Sequence, residues 1–269
     1  MKKLALALAA TAAFAGQAIA ADMPMKAARP MAAPVAAYNW TGCNIYGGIG
    51  YGWYQAEGRE LAFATGVVTA TNGDTGGKGW LGQVGAGCDY QFGGPMGNWV
   101  IGVFGDYTFS NVRGDHIGAP VTTSIGTLNQ DYSWAVGGRI GYLVTPTFLT
   151  YFNAGYTETH FKDTVYFNAL PAPPPFTVAT GTLLPGATYQ GWFIGSGFEY
   201  AINFLPVQGL FLKTEYRYSE FDRNRLNILT TATRTPVGLA ETVKPFTQSI
   251  TSSLVWRFNW GGQGVVAKY

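Results

Sequence analysis

Charge is scarce in this sequence. Lys, Arg, Asp and Glu together make up 12% of its 269 residues, about half the share found in a soluble domain. The formal net charge is +2, which argues neither for nor against an anionic partner; no nucleic-acid partner is expected. Histidine occurs only at His116 and His160, and cysteine only at Cys43 and Cys88. No Cys/His spacing suggests a metal site, and neither a metal nor a cofactor is expected. Two cysteines permit one disulfide but not a disulfide framework. Beyond the N-terminus no apolar run reaches the ~20 residues of a membrane helix, and no coiled-coil or long amphipathic helical pattern occurs. A membrane protein without such a run must be a closed barrel, because hydrocarbon cannot satisfy open backbone groups.

What is abundant fits that alternative. Gly (37), Phe (17), Tyr (16) and Trp (8) are high together. This suits strands with bulky residues on one face and small ones on the other. The N-terminus reads as a secretory signal peptide over residues 1–20. Lys2 and Lys3 precede a short apolar run from Leu4 to Phe14, and Ala18-Ile19-Ala20 supplies a small-x-small cleavage pattern, with cleavage after Ala20 or Ala21. Residues 21–38 are Ala/Pro-rich, with Pro24, Pro30 and Pro34, and read as an extended periplasmic linker. Residues 39–269 form the remaining domain.

Eight segments of that domain alternate with period two. In Trp40 to Tyr54, Cys43, Ile45, Ile49, Tyr51 and Trp53 oppose Asn44, Tyr46 and three glycines. Gly79 to Phe92 sets Trp80, Val84, Cys88 and Tyr90 against Gln83 and Asp89. Asn98 to Ser110 sets Ile101, Val103 and Tyr107 against Asp106 and Thr108, and Asp131 to Val144 sets Trp134, Val136 and Ile140 against Ser133 and Arg139. Thr147 to Thr159 is less regular, since Leu149 and Tyr151 disagree with a face of Phe148, Phe152 and Tyr156. Gly191 to Ile202 sets Trp192, Ile194 and Phe198 against Glu199. The sharpest segment alternates Leu210, Leu212, Tyr216 and Tyr218 with Lys213, Glu215, Arg217 and Ser219, and the last, Phe246 to Phe258, sets Ile250, Leu254 and Trp256 against Thr251, Ser253 and Arg257.

Short connections at 93–97, 145–146 and 203–207 carry turn residues. Long ones at 55–78, 111–130, 160–190 and 222–245 are read as external loops. The expected fold is therefore an eight-stranded antiparallel transmembrane β-barrel with short periplasmic turns and long extracellular loops. An even strand count puts both chain ends on one side, as the linker requires.

A soluble eight-stranded barrel would hide its apolar face inside. Three features favour lipid outside. The strands exceed the 9–11 residues of a tilted crossing. Small residues with single charges line the polar face. Aromatics, among them Trp40, Trp53, Tyr54, Trp80 and Tyr90, gather near segment ends like two girdles. Turned outward, the polar face would put Asp89, Asp106, Arg139, Glu199, Lys213, Glu215 and Arg217 in lipid, at roughly 2–4 kcal/mol for a basic side chain at mid-bilayer. Turned inward, Asp89, Asp106, Glu199 and Glu215 face Arg139, Lys213, Arg217 and Arg257 in near balance. The expectation is an ion-pair network that plugs the lumen, with no wide pore.

Asn39-Trp40-Thr41-Gly42, followed by Tyr46-Gly47-Gly48 and Gly50-Tyr51-Gly52-Trp53, resembles the opening strand of the alpha-proteobacterial small outer-membrane proteins, an immunogenic or porin-like β-barrel family. Leu212 to Tyr218 resembles their penultimate strand, Phe198-Glu199-Tyr200 a strand end, and Asn259-Trp260-Gly261 with Val265 to Tyr269 their C-terminus. Cys43, standing where the family has an aromatic, and the Pro-rich stretch from Pro171 to Pro175 depart from the pattern. The resemblance implies an eight-stranded barrel in the cell outer membrane with exposed loops, tied to envelope integrity and to host or environmental contact. It also implies that insertion machinery reads a terminal aromatic, a role open to Phe258 or Tyr269. Outer-membrane lipid, lipopolysaccharide and loop-bound surface ligands are the expected partners.

Other motifs have bland readings. Pairing Trp53 with Lys78 would set Cys43 opposite Cys88, and a slip of two residues would separate them, so a disulfide and two free thiols both stay open. Gly73 to Gly79 lacks the first glycine and the Ser/Thr of a phosphate loop and reads as a loop tip. His116 and His160 read as solvated loop histidines, with no nucleophile marked out beside either. No enzymatic activity is expected. The sequence thus describes an outer-membrane structural and surface protein, with a narrow porin for ions or small solutes as the alternative.

Overall fold

The computed structural model describes residues 38–94, 97–118, 124–168, 179–204 and 209–258. The signal-peptide and linker readings, apart from Tyr38, fall outside the described residues, and so do Tyr269 and the Pro171 to Pro175 stretch.

The regular structure is antiparallel strand throughout the described residues. In chain order the strands are β1 (Gly42–Ala62), β2 (Val68–Gly94), β3 (Gly97–Gly118), β4 (Ser124–Thr145), β5 (Phe148–Phe161), β6 (Thr164–Asn168), β7 (Ala179–Leu184), β8 (Ala187–Ala201), β9 (Leu210–Phe221), β10 (Asn224–Thr230) and β11 (Pro236–Phe258). Eight of them close a ring, β1-β2-β3-β4-β5-β8-β9-β11, and β1 pairs back onto β11 from Cys43↔Phe258 to Ala62↔Leu239. Closure leaves no free edge in the bilayer.

The register fixes the tilt. From Asn44 the partners run through Gly87, Phe104, Gly137, Gly155, Phe193, Ser219 and Thr247, and return to β1 at Tyr54, ten residues further on. That stagger requires strands steeply inclined to the barrel axis. Side chains follow the period-two pattern. Ile49, Trp80, Val103, Phe152 and Ile194 are exposed on the outer surface, while Lys213, Glu215 and Arg257 are buried in the lumen. Leu149 and Tyr151, which disagree with the apolar face of their segment, point inward and are buried.

The expected long loops need correction. Most of residues 55–78, 111–130, 160–190 and 222–245 are strand. Beyond short breaks at 162–163, 185–186 and 222–223, β6, β7 and β10 replace β5, β8 and β9 between β4 and β11. The pairs are Ser124↔Asn168, Thr164↔Leu184, Leu229↔Leu183 and Asn224↔Val243. The wall therefore continues past the membrane, at the end remote from Gly42 and Phe258, which is the outer end. Its polarity inverts there. Tyr54, Ala56, Val112, Leu128, Tyr166, Ile228 and Val243 pack inside, while Glu57, Arg59, Lys78, Arg113 and Arg225 face out. Below that level the outward residues are mostly apolar, and above it a large apolar cluster faces the axis, with Ile117, Val165 and Phe167 left exposed outside.

Two further readings change with it. Gly73 to Gly79 is part of strand β2, not a loop tip. Trp40 and Tyr54 do not join the girdles; they are inside, 0% and 1% exposed. Trp40 donates its indole N–H to the Pro146 carbonyl at 3.1 Å across the periplasmic mouth.

Cys43 and Cys88 are direct cross-strand partners on β1 and β2 and are bonded, with S–S 2.06 Å. In the purified unfolded protein, peptides bearing Cys43 and Cys88 are expected to travel as one crosslinked species with no thiol open to alkylation. Two alkylated thiols would contradict the bond.

Candidate functional site

The lumen is the chemically distinctive region, and it is stacked in layers. At the periplasmic base Trp40, Val100, Leu143, Leu149, Phe211 and Val255 form an apolar floor. Trp40 precedes β1, and the others come from inward positions near strand ends.

Above the floor sit two groups of four charges. In the first, Arg139 donates to Asp89 at 2.7 and 2.5 Å and to Glu199 at 2.5 Å. Arg257 donates to the same Asp89 at 2.6 Å and to Glu199. Two carboxylates and two guanidiniums alternate around a closed circuit, and Asn44 adds a hydrogen bond to Asp89 at 3.1 Å. In the second, Arg217 grips Asp106 with two hydrogen bonds of 2.9 and 2.7 Å and Glu215 at 2.7 Å. Lys213 reaches Glu215 at 3.1 Å. The Tyr151 hydroxyl donates to Glu215 at 2.9 Å and the Tyr46 hydroxyl to Asp106 at 3.3 Å.

Each group has formal charge zero. The lumen is sheltered from water, so charge left unmatched there is expensive, and the desolvation cost is met only by close, multiply hydrogen-bonded partners. Aromatic faces complete the cations' surroundings: Lys213 lies 4.0 Å from the Tyr46 ring centre, Arg217 4.5 Å from Phe193 and Arg257 4.7 Å from Trp40.

Higher still, Gln83, Thr108, Gln130, Thr157, Ser219 and Thr247 line a cavity of about 30 Å³, room for about one water. The outer-end apolar cluster described above closes over it.

That cluster holds a polar group the sequence reading missed. His116 is fully buried rather than solvated. Its Nε2 stands 2.7 Å from Glu241 Oε1 and its Nδ1 3.2 Å from the Thr75 hydroxyl. The Tyr166 hydroxyl donates to the other Glu241 oxygen at 2.9 Å. Burial and the neighbouring Glu241 carboxylate push the Tyr166 phenol well above its ordinary pKa. Glu60, the cross-strand partner of Glu241, is also buried and accepts from Thr69 at 3.0 Å. Hydroxyl, imidazole and carboxylate stand in the order of a hydrolase triad. Thr75, His116 and Glu241 are nevertheless 5%, 0% and 0% exposed, so no substrate carbonyl reaches the hydroxyl.

His160 is not in a loop either. It lies on β5, its ring stacked 5.2 Å from Tyr132 on the outer wall. Phe258 ends β11 facing outward beside Trp256. Among the described residues no set of three His, Cys, Asp or Glu side chains is placed to hold a metal ion.

Comparison with known proteins agrees with the architecture. The model of the outer membrane protein beta-barrel domain matches residues 4–258. The 31 kDa outer-membrane immunogenic proteins of Brucella melitensis and Brucella suis are 30% identical over 238 residues, which span 84% of this chain and 90% of theirs. The outer membrane protein OprG from Pseudomonas aeruginosa shares the fold, with a TM-score of 0.50 at 12% identity, covering 82% of this chain and 99% of OprG. A closed, lipid-faced ring of eight strands, a family match along almost its whole length and an alpha-proteobacterial relative together make this chain a member of the outer membrane protein beta-barrel domain family, resident in the outer membrane.

Proposed function

We propose that this protein is a structural and surface component of the outer membrane, a plugged barrel that reinforces the envelope and holds a rigid outer end above it. The layered lumen carries this reading. An apolar floor, two neutral four-charge groups and an apolar outer cluster follow one another along the axis. An ion crossing would have to part Arg139, Arg217 and Arg257 from their carboxylates, at several kcal/mol each. Barrel-insertion machinery, lipopolysaccharide and surface ligands of the host or environment are the partners this role calls for. The aromatic end of β11 at Phe258 suits the first, and the exposed outer wall the last.

The test is conductance. Purified protein in planar bilayers is expected to show no steady channel in molar KCl. Regular unitary steps that vanish on heat denaturation would replace this reading with that of a narrow porin.

A further inference from the structure

We propose that Lys78 and Arg113 form a binding site for a phosphate group of the outer-leaflet glycolipid. The two residues are direct cross-strand partners on β2 and β3, and both side chains face outward and are exposed. Like charges placed directly opposite each other in a sheet repel, so this arrangement is disfavoured unless an anion lies between them.

Among the described residues no protein group supplies that anion. No carboxylate oxygen among them lies within 4.0 Å of either cation, although Asp115 follows on the same face of β3. Arg113 is aimed by a neutral group, Asn111, whose side-chain oxygen accepts from its Nε and Nη2 at 2.8 and 2.5 Å. Its charge is oriented but not cancelled. Three cations elsewhere on the outer wall do have carboxylate partners. Lys162 pairs with Asp131, Arg223 with Glu57 and Lys244 with Glu220. Arg59 and Arg225 also face out with no carboxylate within 4.0 Å, but of these cations only Lys78 and Arg113 stand directly opposite each other.

Position identifies the occupant. Trp53 is the cross-strand partner of Lys78. Trp80, two residues toward the membrane on the same face, is exposed with its ring against Tyr51. Trp and Tyr mark the level of lipid headgroups. The cations thus stand about one strand step of roughly 7 Å beyond the aromatic girdle, where outer-leaflet phosphates lie. A groove of about 440 Å³ runs between the two side chains over Gly76 and Gly77. The acyl chains of the same lipid would lie below, against Trp80 and Val84. Arg113 offers a forked pair of donors and Lys78 a point charge, a combination suited to phosphate.

The experiment titrates the full-length folded protein in detergent micelles and reads bound lipid by native mass spectrometry. The probes are diphosphoryl lipid A, lipid A with both phosphates removed, and inorganic phosphate. Lys78→Gln combined with Arg113→Gln is expected to weaken diphosphoryl lipid A about ten-fold or more, as loss of a charge-assisted hydrogen bond predicts. Lys244→Gln should bind like the wild type, and Arg113→Lys, which keeps the charge but lacks the forked pair of donors, should fall between the wild type and the double variant. Lipid A without phosphates should bind wild type and double variant alike. Heat-modifiable gel migration verifies that each variant is folded. Undiminished binding by a folded double variant overturns the proposal, as does phosphate-free lipid A binding as tightly as the diphosphoryl form. Full displacement of the lipid by millimolar inorganic phosphate also overturns it, since the site would then belong to the free ion.

Discussion

Exchange of Arg217 for methionine is expected to destabilise the barrel by roughly 3–5 kcal/mol, the usual cost of breaking a buried pair from one side. The side chain holds Asp106 through two hydrogen bonds and Glu215 through two more. Methionine fills much of the same space but leaves two carboxylates sharing the single cation Lys213. The second variant separates charge imbalance from lost packing. Adding Asp106→Asn restores neutrality, because Glu215 then faces Lys213 alone, so the double variant should recover much of the loss. Urea unfolding of the protein in lipid vesicles, followed by tryptophan fluorescence, measures both. A single variant within about 1 kcal/mol of wild type, or a double variant worse than the single, would show that charge balance in the lumen is not what holds this layer.

The second large effect is local. His116→Leu removes the imidazole that faces Glu241 and Thr75 inside the outer-end cluster. It leaves Glu241 with the Tyr166 hydroxyl and with Glu60 on the adjacent strand. Removing one hydrogen-bonding partner from a buried carboxylate costs about 3 kcal/mol. The short strands β6, β7 and β10 have few pairs to resist with, so the loss should appear as opening of the outer end, not of the membrane ring. Hydrogen exchange in β6, β7 and β10 is expected to quicken about a hundred-fold. Amides of β8 and β9 should be unchanged, and heat-modifiable migration should persist. Uniform acceleration across all strands, or none, would contradict a separately stabilised outer end.

How much of this was readable beforehand depends on where each residue stands relative to the membrane. Inside the bilayer the rule is simple, because hydrocarbon sorts side chains strictly. Arg139, Lys213, Glu215, Arg217 and Arg257 lie on the polar parity of their segments, and all five are in the lumen. Tyr151 was ambiguous for a physical reason: a phenol can fill lumen space and hydrogen-bond Glu215 while looking apolar in an alternation count.

Outside the bilayer the same count misleads. Tyr54, Val112 and Val243 continue the inward parity of β1, β3 and β11, and Tyr166 faces inward after a one-residue shift at 162–163, yet the face they share is now the apolar one. An alternation that changes sign resembles an alternation that stops, which is why these stretches look like loops in the sequence. Extending each parity past the aromatic belt would have placed Glu60, His116 and Glu241 on the axis. What parity cannot supply is their mutual distance, which depends on the ten-residue stagger and so on the register of every intervening strand.

The ring's closing seam has a consequence for biogenesis. Cys43 pairs with Phe258, so the first strand waits for the last before either edge is satisfied. Loop closure over such a span is costly and slow, and no barrel can form on the ribosome or during export of a partial chain. Until residue 258 has crossed the inner membrane, Ile49, Trp80, Val103 and Phe152 have only water to face. The lipid-facing surface of such a chain is complete only once its last strand is present, and any shorter chain keeps both edges of the ring open.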